Sequence, residues 1–157
     1  MSADRPELFF ESSIPLNAER IRAAAVYCSD GRFGDQFDEL MQGALGLPRY
    51  DRLAVPGGAA CLANHFVTHR EEEGVVEQLK FLVSCHGLER VVLIAHEGCA
   101  FYLDRLRISP LQLETQQRED MKKAVRRVQA IERDLRVDGL FARKGRNGMV
   151  QFETVTV

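Results

Sequence analysis

Two short stretches of the sequence carry side chains that can bind a metal ion. In the first, Cys28 follows a run of small and apolar residues, "AAAVY". In the second, His96 and Cys99 lie three positions apart after the apolar run "VVLIA". Two thiolates and one imidazole form a soft ligand set that suits zinc, and three protein ligands leave the fourth tetrahedral position open, as in catalytic zinc sites. The pattern therefore predicts a catalytic zinc site formed by Cys28, His96 and Cys99.

Two charged residues soon after Cys28 have a separate predicted role. Asp30 is close enough in sequence to take the open position on the metal or to accept a hydrogen bond from water there. Arg32 can restrain Asp30 in a charge-assisted ion pair, so that this pair controls access to the metal. A Cys99 nucleophile with His96 as its base is an alternative, but it leaves Asp30 and Arg32 without a role. Each of these residues taken alone is more often structural, since a lone buried Cys is usually a core residue.

The elements predicted around these residues form an α/β domain with a mainly parallel central sheet flanked by helices. Short apolar runs predict strands over 21–27, 52–55 and 90–95. Periodic apolar positions predict helices over 35–45, over 59–86 (two helices or one bent helix) and from 109 to about 135. Because ligands bind beyond the carboxyl ends of parallel strands, we expect Cys28 and His96 at the same edge of the sheet.

Capping and turn residues fix three predicted boundaries. Ser109 as N-cap and Pro110 at the first helical position predict the start of the last helix. Gly87 predicts a C-terminal cap for the helix before it. Asn147-Gly148 predicts a two-residue turn in a C-terminal β-hairpin, which adds an antiparallel edge strand to the sheet.

Composition and charge limit the classes of function. The chain has 157 residues, of which 45% are hydrophobic and 28% charged, with a formal net charge of −2. This predicts one zinc-binding domain over 20–157, preceded by an N-terminal arm over 1–19 in which Phe9 and Phe10 can contact the body or a second subunit. The balanced charge offers no basic surface for nucleic acid or a membrane. No apolar run approaches the ~20 residues of a membrane span and the start lacks signal-peptide features, so we expect a cytoplasmic protein with reduced cysteines.

The remaining candidates for chemistry are weaker. His65 and His69 lie four positions apart on a predicted helix, but "HFVTH" lacks the Glu of a metalloprotease helix, so a solvated or partly packed face is expected. Cys61 and Cys85 have no ligand spacing and are predicted to be structural. The "PGGAA" segment offers backbone N–H groups for phosphate, but it lacks the Lys of a P-loop.

The motifs resemble those of the β-class carbonic anhydrases. The segments "VYCSDGRF", "VPGGAA" and "VEQLKFLVSCHGLERVVLIAHEGC" follow the family's order along the chain. The resemblance implies a zinc enzyme, a lyase that interconverts CO2 and bicarbonate, and a homodimer or higher oligomer in which the arm contacts a neighbour. The zinc ligands that it implies are Cys28, His96 and Cys99. The pair that would control access to the metal is Asp30 and Arg32.

Beside the predicted site the sequence departs from the family pattern. Ala100 follows the second cysteine, where Gly is usual, and Gly31 stands where Ser is common. Val-Pro-Gly-Gly replaces the family's Arg-Asn-Ala-Gly, which makes Gly57 and Gly58 candidates for the substrate pocket. Two alternatives to CO2 hydration follow: turnover of another small linear electrophile such as COS or CS2, or a non-catalytic zinc-binding domain.

Overall fold

The structure, a computed structural model, describes residues 6–157. Its five strands form one sheet in the order β2-β1-β3-β4-β5. The strands are β1 Ala23–Tyr27, β2 Asp51–Ala54, β3 Arg90–His96, β4 Arg136–Lys144 and β5 Val150–Thr154. The first four pair in parallel and β5 pairs antiparallel with β4, so the predicted α/β fold with a mainly parallel sheet and an antiparallel edge is confirmed.

Helices cover both faces of this sheet. They are α1 Gly34–Glu39, α2 His69–His86 and α3 Leu113–Gln129. Ala24 and Val26 of β1 pack with α2 and α3 on one face. Ala23 and Ala25 pack with α1 and the turn after it on the other face. Because both faces are buried, every residue of β1 is apolar and hidden from solvent, as parallel strands between helical layers require.

The first predicted helix changes its winding part-way along. Residues 34–39 form α1, and the predicted helix then continues to its end as a π-helical turn, Leu40–Ala44. The wider turn still buries Leu40 and Met41 against the sheet. The predicted cap of the next helix is confirmed, since Gly87 has a φ of 60° and donates its N–H to the Val83 carbonyl.

The segment before α2 corrects the prediction of helix over residues 59–68. It forms two 3-10 turns, Gly58–Leu62 and Phe66–Thr68, and α2 begins only at His69. Asn64 between the turns has a φ of 67°, which a right-handed helix does not accommodate. The irregular path brings this segment against the end of β1, where Cys28 lies.

The last helix is shorter than predicted at both ends. Ser109 and Pro110 do not cap it, because the Gln112 N–H donates to the Ser109 carbonyl and closes a β-turn, with α3 starting at Leu113. Pro at the second position of a β-turn is as favourable as Pro at the start of a helix, so the sequence signal is ambiguous. At the other end α3 stops at Gln129 instead of about 135.

The C-terminal hairpin is confirmed, but its turn is not the predicted two-residue turn. The Gly148 N–H donates to the Gly145 carbonyl, and the Gly145 N–H donates to the Met149 carbonyl. Arg146 and Asn147 are therefore the central residues of the turn, and Gly148 follows them with a φ of 81°. This is the longer hairpin connection in which a left-handed glycine completes the loop.

The described part of the N-terminal arm, residues 6–19, contains no helix or strand. Its apolar side chains are exposed in the single chain: Leu8, Phe9, Phe10, Ile14 and Leu16. Contact of Phe9 and Phe10 with the body of their own chain is therefore not observed. Contact with a second subunit and the division at residue 20 stay predictions, and residues 1–5 lie outside the described chain. Among the described residues, no helix has the length and apolarity needed to cross a membrane.

Candidate metal centre

The sheet brings the three predicted ligands together. Cys28 directly follows β1, and His96 is the last residue of the neighbouring parallel strand β3. Gly98, with a φ of 64°, turns the chain after β3 so that Cys99 points back towards the same place. The two sulfur atoms and an imidazole nitrogen lie within 4.8 Å of one another, and all three residues are buried. The Cys28 Sγ and Cys99 Sγ atoms are 4.0 Å apart.

The His96 imidazole is oriented as a metal ligand. Its Nδ1 lies 2.8 Å from the Glu97 carbonyl oxygen, and because a carbonyl only accepts, Nδ1 carries the proton and Nε2 the lone pair. The ring packs against Phe33, with 4.5 Å between the ring centroids. Nε2 is buried and has no hydrogen-bond partner. A buried acceptor without a donor beside two sulfur atoms fits a zinc ion bound by Cys28, His96 and Cys99.

Backbone amides surround the two sulfur atoms. The N–H groups of Asp30 and Gly57 reach the Cys28 sulfur, and those of Phe101 and Tyr102 reach the Cys99 sulfur. The hydrogen bond from the Cys99 thiol, with the neighbouring His96 imidazole and these amides, holds the pKa of Cys28 well below its usual range, although burial opposes the effect. The same contact raises the pKa of Cys99, because a second negative charge beside the Cys28 thiolate is unfavourable. Both thiols ionise together only when a cation compensates their charge.

Asp30 and Arg32 form the ion pair that the sequence predicts. Arg32 Nη2 donates to Asp30 Oδ2 at 2.6 Å, and Arg32 Nε donates to Oδ1 at 3.0 Å. The side-chain hydrogen bonds from Arg32 lower the pKa of Asp30 to about 2. The Asp30 side chain is 20% exposed and that of Arg32 is 76% exposed, so the carboxylate lies on the protein side of the pair. Asp30 is ionised and restrained by Arg32 at neutral pH.

Gly57 and Gly58 lie against the predicted ligands. A Cβ on Gly58 would lie 2.6 Å from the Cys28 backbone nitrogen, and one on Gly57 would lie 2.4 Å from the Phe101 ring. Both residues also have positive φ, 82° for Gly57 and 52° for Gly58. Only glycine allows this segment to approach Cys28 so closely. Their predicted role in a substrate pocket stays a prediction.

A cleft of about 350 Å³ is lined by residues close in sequence to the three candidate ligands, Arg32, Phe33, Glu97 and Gly98, and by residues of the C-terminal hairpin. The ligands themselves do not line it.

Comparison with known proteins places the chain in a family. Residues 18–156 match the model of a family described as putative carbonic anhydrase. The chain belongs to this family. Two curated relatives carry no assigned function: an uncharacterized protein of Rickettsia bellii, 25% identical over 107 residues, and one of Rickettsia conorii, 28% identical over 95 residues. The matches cover 66% and 60% of this chain but only 64% and 49% of the relatives' lengths.

Solved carbonic anhydrases share the fold. The β-carbonic anhydrase isoform I of Trichomonas vaginalis has a TM-score of 0.57 and 16% identity, covering 93% of this chain and 90% of that one. The carbonic anhydrase of Glaciozyma antarctica has a TM-score of 0.55 and 18% identity, covering 92% and 86%. That of Streptococcus mutans has a TM-score of 0.51 and 19% identity, covering 94% and 88%. The chain is a diverged member of the family with a β-carbonic anhydrase-like fold.

In this carbonic anhydrase family member, α3 contributes buried polar residues that the sequence analysis missed. Gln117 donates its Nε2 hydrogen to the His96 carbonyl at 2.7 Å. Asp120 is fully buried and accepts the Tyr102 hydroxyl hydrogen at 2.9 Å. Gln117 and Asp120 share the buried face of α3 with Met121 and Ala124. Polar residues at apolar positions of an amphipathic helix were the available signal.

The histidines outside the ligand set divide into two environments. His65 lies before a 3-10 turn instead of on a helix, and its Nε2 is 2.7 Å from Asp120 Oδ2. Its side chain is 18% exposed, so the predicted helical position was wrong and the partly packed environment is observed. His69 begins α2 with an exposed side chain near Glu73.

Neither remaining cysteine belongs to the cluster. Cys61 is buried, and burial raises its pKa to about 12, which makes it an unreactive thiol. Cys85 is exposed on α2. The buried position of Cys61 is that of a structural residue, and the lack of a ligand role for both cysteines stays a prediction.

Proposed function

We propose that this protein is a zinc-dependent carbonic anhydrase, a lyase that catalyses the reversible hydration of CO2 to bicarbonate. The observation that carries the proposal is the buried Cys28, His96 and Cys99 cluster with an unpartnered His96 Nε2. The ionised Asp30 carboxylate, held by Arg32, lies two residues after the first ligand. Family membership and the shared fold support the same function.

In this proposal Cys28, His96 and Cys99 hold the metal. Zinc supplies a hydroxide nucleophile near neutral pH by lowering the pKa of water. The Glu97 carbonyl keeps the His96 proton on Nδ1 and leaves Nε2 as the ligand atom. The amides at both sulfur atoms stabilise the thiolates.

Asp30 and Arg32 act on the nucleophile and on access to the site. The Asp30 carboxylate would accept a hydrogen bond from an attacking water and so orient its lone pair towards CO2. Arg32 would hold Asp30 in the ion pair and away from the metal ligands. Gly57 and Gly58 let their segment pack directly against the Phe101 ring and the Cys28 backbone, and they stay candidates for the wall of the substrate pocket.

The experiment measures zinc content and stopped-flow CO2 hydration between about pH 6.5 and 9, the range in which metal-bound water ionises. It compares the wild type with Cys28→Ser and with Cys61→Ser as a matched control, since Cys61 is an equally buried thiol outside the cluster. We expect one zinc per chain and rapid hydration in the wild type and Cys61→Ser, and loss of both in Cys28→Ser. We expect the rate to rise towards alkaline pH, because two thiolates disfavour ionisation of the water more than three imidazoles would.

The alternatives make different predictions in the same assay. Bound zinc with faster turnover of COS or CS2 than of CO2 would assign a different electrophile. Bound zinc with no turnover would assign a structural metal. A wild-type protein without zinc would overturn the metal site itself.

We also propose a homodimer or higher homo-oligomer. The exposed aromatic side chains Phe9 and Phe10 support it, since soluble monomers seldom present adjacent exposed aromatics on an extended segment. The cytoplasmic location and the lack of a nucleic-acid or membrane partner stay sequence predictions.

A further inference from the structure

We propose that Asp120 is a positioning residue of the metal centre, which acts through the Tyr102 hydroxyl to hold the turn that carries Cys99. This inference rests on the proposed function in one respect, the binding of a metal by Cys28, His96 and Cys99. It goes further in assigning a role to a helix that supplies none of the ligands.

Asp120 lies in the middle of a buried hydrogen-bond network. Its carboxylate is fully hidden from solvent and accepts hydrogen bonds from Tyr102 Oη at 2.9 Å and Gln116 Nε2 at 2.9 Å. His65 Nε2 lies 2.7 Å from the same Oδ2 atom as Tyr102. Lys123 Nζ, at 3.9 Å, is the nearest ammonium group. A carboxylate is costly to bury, so its contacts determine the position of the groups that satisfy it.

Tyr102 connects this carboxylate to the third ligand. It lies in the π-helical turn Phe101–Arg105, directly after Cys99 and Ala100. Its backbone N–H reaches the Cys99 sulfur, and its side chain is 2% exposed and packs in one cluster with Cys28 and Cys99. One residue therefore donates its hydroxyl hydrogen to Asp120 and packs in the cluster that contains Cys99.

The same helix also restrains the second ligand. Gln117, one turn before Met121 on α3, donates to the His96 carbonyl at 2.7 Å. Asp120 and Gln117 thus attach α3 to both ends of the segment from His96 to Cys99. Removing such supporting contacts typically weakens metal affinity by about 10- to 100-fold.

Glu72 provides a matched control for burial and charge. It is as fully buried as Asp120 and lies on α2. Its carboxylate accepts from the His65 backbone N–H at 2.8 Å and from the Thr68 hydroxyl at 3.3 Å. These contacts hold the loop before α2, which reaches Asp120 only through the His65 ring, and none of them involves the Tyr102 hydroxyl. Glu72→Gln therefore removes a buried charge without releasing Tyr102.

The experiment titrates Co²⁺ into metal-free protein and records the affinity and the thiolate-to-cobalt and visible absorption bands. Tyr102→Phe removes one hydroxyl and keeps the ring, and Asp120→Asn removes the carboxylate. We expect each variant to bind Co²⁺ about 10- to 100-fold more weakly than the wild type and to shift the visible bands, because the Cys99 sulfur is no longer held in place. Glu72→Gln should keep the wild-type affinity and spectrum.

The double variant tests whether Asp120 acts through Tyr102. If it does, Asp120→Asn with Tyr102→Phe should bind Co²⁺ no more weakly than Asp120→Asn alone. If the losses of Co²⁺ affinity are additive, Asp120 does not act through Tyr102, and the proposal is overturned. If Asp120→Asn fails to fold, the Co²⁺ affinity and spectrum of Tyr102→Phe alone test the proposal.

The outcomes separate this inference from the proposed function. A wild-type protein that binds no Co²⁺ would overturn the metal site. A wild-type protein that binds it, with an unchanged Tyr102→Phe affinity and spectrum, would overturn only the positioning role. Equal losses in Glu72→Gln would also overturn it, since they would reflect general destabilisation.

Discussion

At the scale of single residues, the site is defined by how each charge is neutralised. Arg32 compensates Asp30 through hydrogen bonds from its Nε and Nη2 groups, whereas the contact between Cys28 and Cys99 lowers the pKa of the first thiol and raises that of the second. The protein thereby separates a carboxylate that stays ionised from a pair of thiols that could lose both protons only beside a cation. The chemistry of the site depends on this separation.

Replacing Arg32 tests the carboxylate. In Arg32→Gln we expect the pKa of Asp30 to rise from about 2 towards its ordinary value of 3.8, because its main hydrogen-bond donor is lost. The contribution of Asp30 to stability, present above its ordinary pKa and lost as pH falls through about 2, should shrink accordingly. Carboxyl-carbon NMR titration of the metal-free protein measures the shift. Arg105→Gln, which removes an exposed partner of Glu71, should leave Asp30 unchanged.

Adding a methyl group behind Cys28 tests the close approach of the loop. Gly58→Ala places a Cβ 2.6 Å from the Cys28 nitrogen at a φ of 52°. We expect the free energy of unfolding to fall by about 2 kcal/mol or more, since left-handed backbone and backbone contact are both unfavourable for alanine. Urea denaturation measures it. Gly31→Ala faces open space and should change stability by less than about 0.5 kcal/mol, so an equal loss there would contradict the explanation.

At the scale of elements, irregular turns do as much as the helices to form the site. The 3-10 turn Gly58–Leu62 approaches Cys28, and the π-helical turn after Cys99 carries Tyr102. The buried carboxylate of Glu72 joins the second 3-10 turn, Phe66–Thr68, to α2, and that of Asp120 joins the π-helical turn to α3. The turns are therefore fixed by polar contacts to neighbouring helices.

The His65 contact predicts a pH dependence of this attachment. The hydrogen bond that His65 donates to Asp120 raises the pKa of His65 above its ordinary value, with Glu72 adding to the effect and burial and Lys123 opposing it. The contribution of His65 to the stability of the folded protein is present below the ordinary pKa of histidine and is lost as pH rises through the raised pKa of His65. His65→Gln should therefore lower the free energy of unfolding more at about pH 5.5 than at about pH 8.5. Urea denaturation at both pH values measures this difference, which should vanish in an Asp120→Asn background.

At the scale of the whole molecule, the arm combines exposed apolar side chains with a polar attachment at its end, where Arg49 donates to the Asn17 and Glu19 carbonyls. Phe9 is fully exposed, and Phe10 is 76% exposed, whereas most apolar residues of the body are buried in three clusters. Burial of these rings by a second copy would remove apolar surface from water. We therefore propose that the arm contacts a second copy of the chain in the oligomer.

Changing the two rings tests the assembly. In sedimentation velocity we expect wild-type chains to associate as concentration rises, and Phe9→Ser with Phe10→Ser to shift them to monomers. Phe81→Ser, on the exposed face of α2, is the control and should leave association unchanged. A wild-type protein that stays monomeric at all concentrations would contradict the proposal.

The sequence by itself determined the sheet and the meeting of three candidate ligands at one edge of it. The unbroken apolar runs before Cys28 and His96 required strands covered on both faces, and parallel strands place their carboxyl ends at one edge. The proximity of Cys28, His96 and Cys99 and the Asp30–Arg32 ion pair could therefore be predicted, whereas metal binding by the three residues stays a prediction. Only tertiary structure decided the turns, because Ser109-Pro110 and Asn147-Gly148 each fit two local geometries of similar energy. Tertiary structure also decided the surroundings of the metal centre. Asp120 meets Tyr102, and Gln117 meets His96, only after α3 packs on the sheet. A local sequence pattern does not specify which distant group will form a hydrogen bond with a buried polar residue.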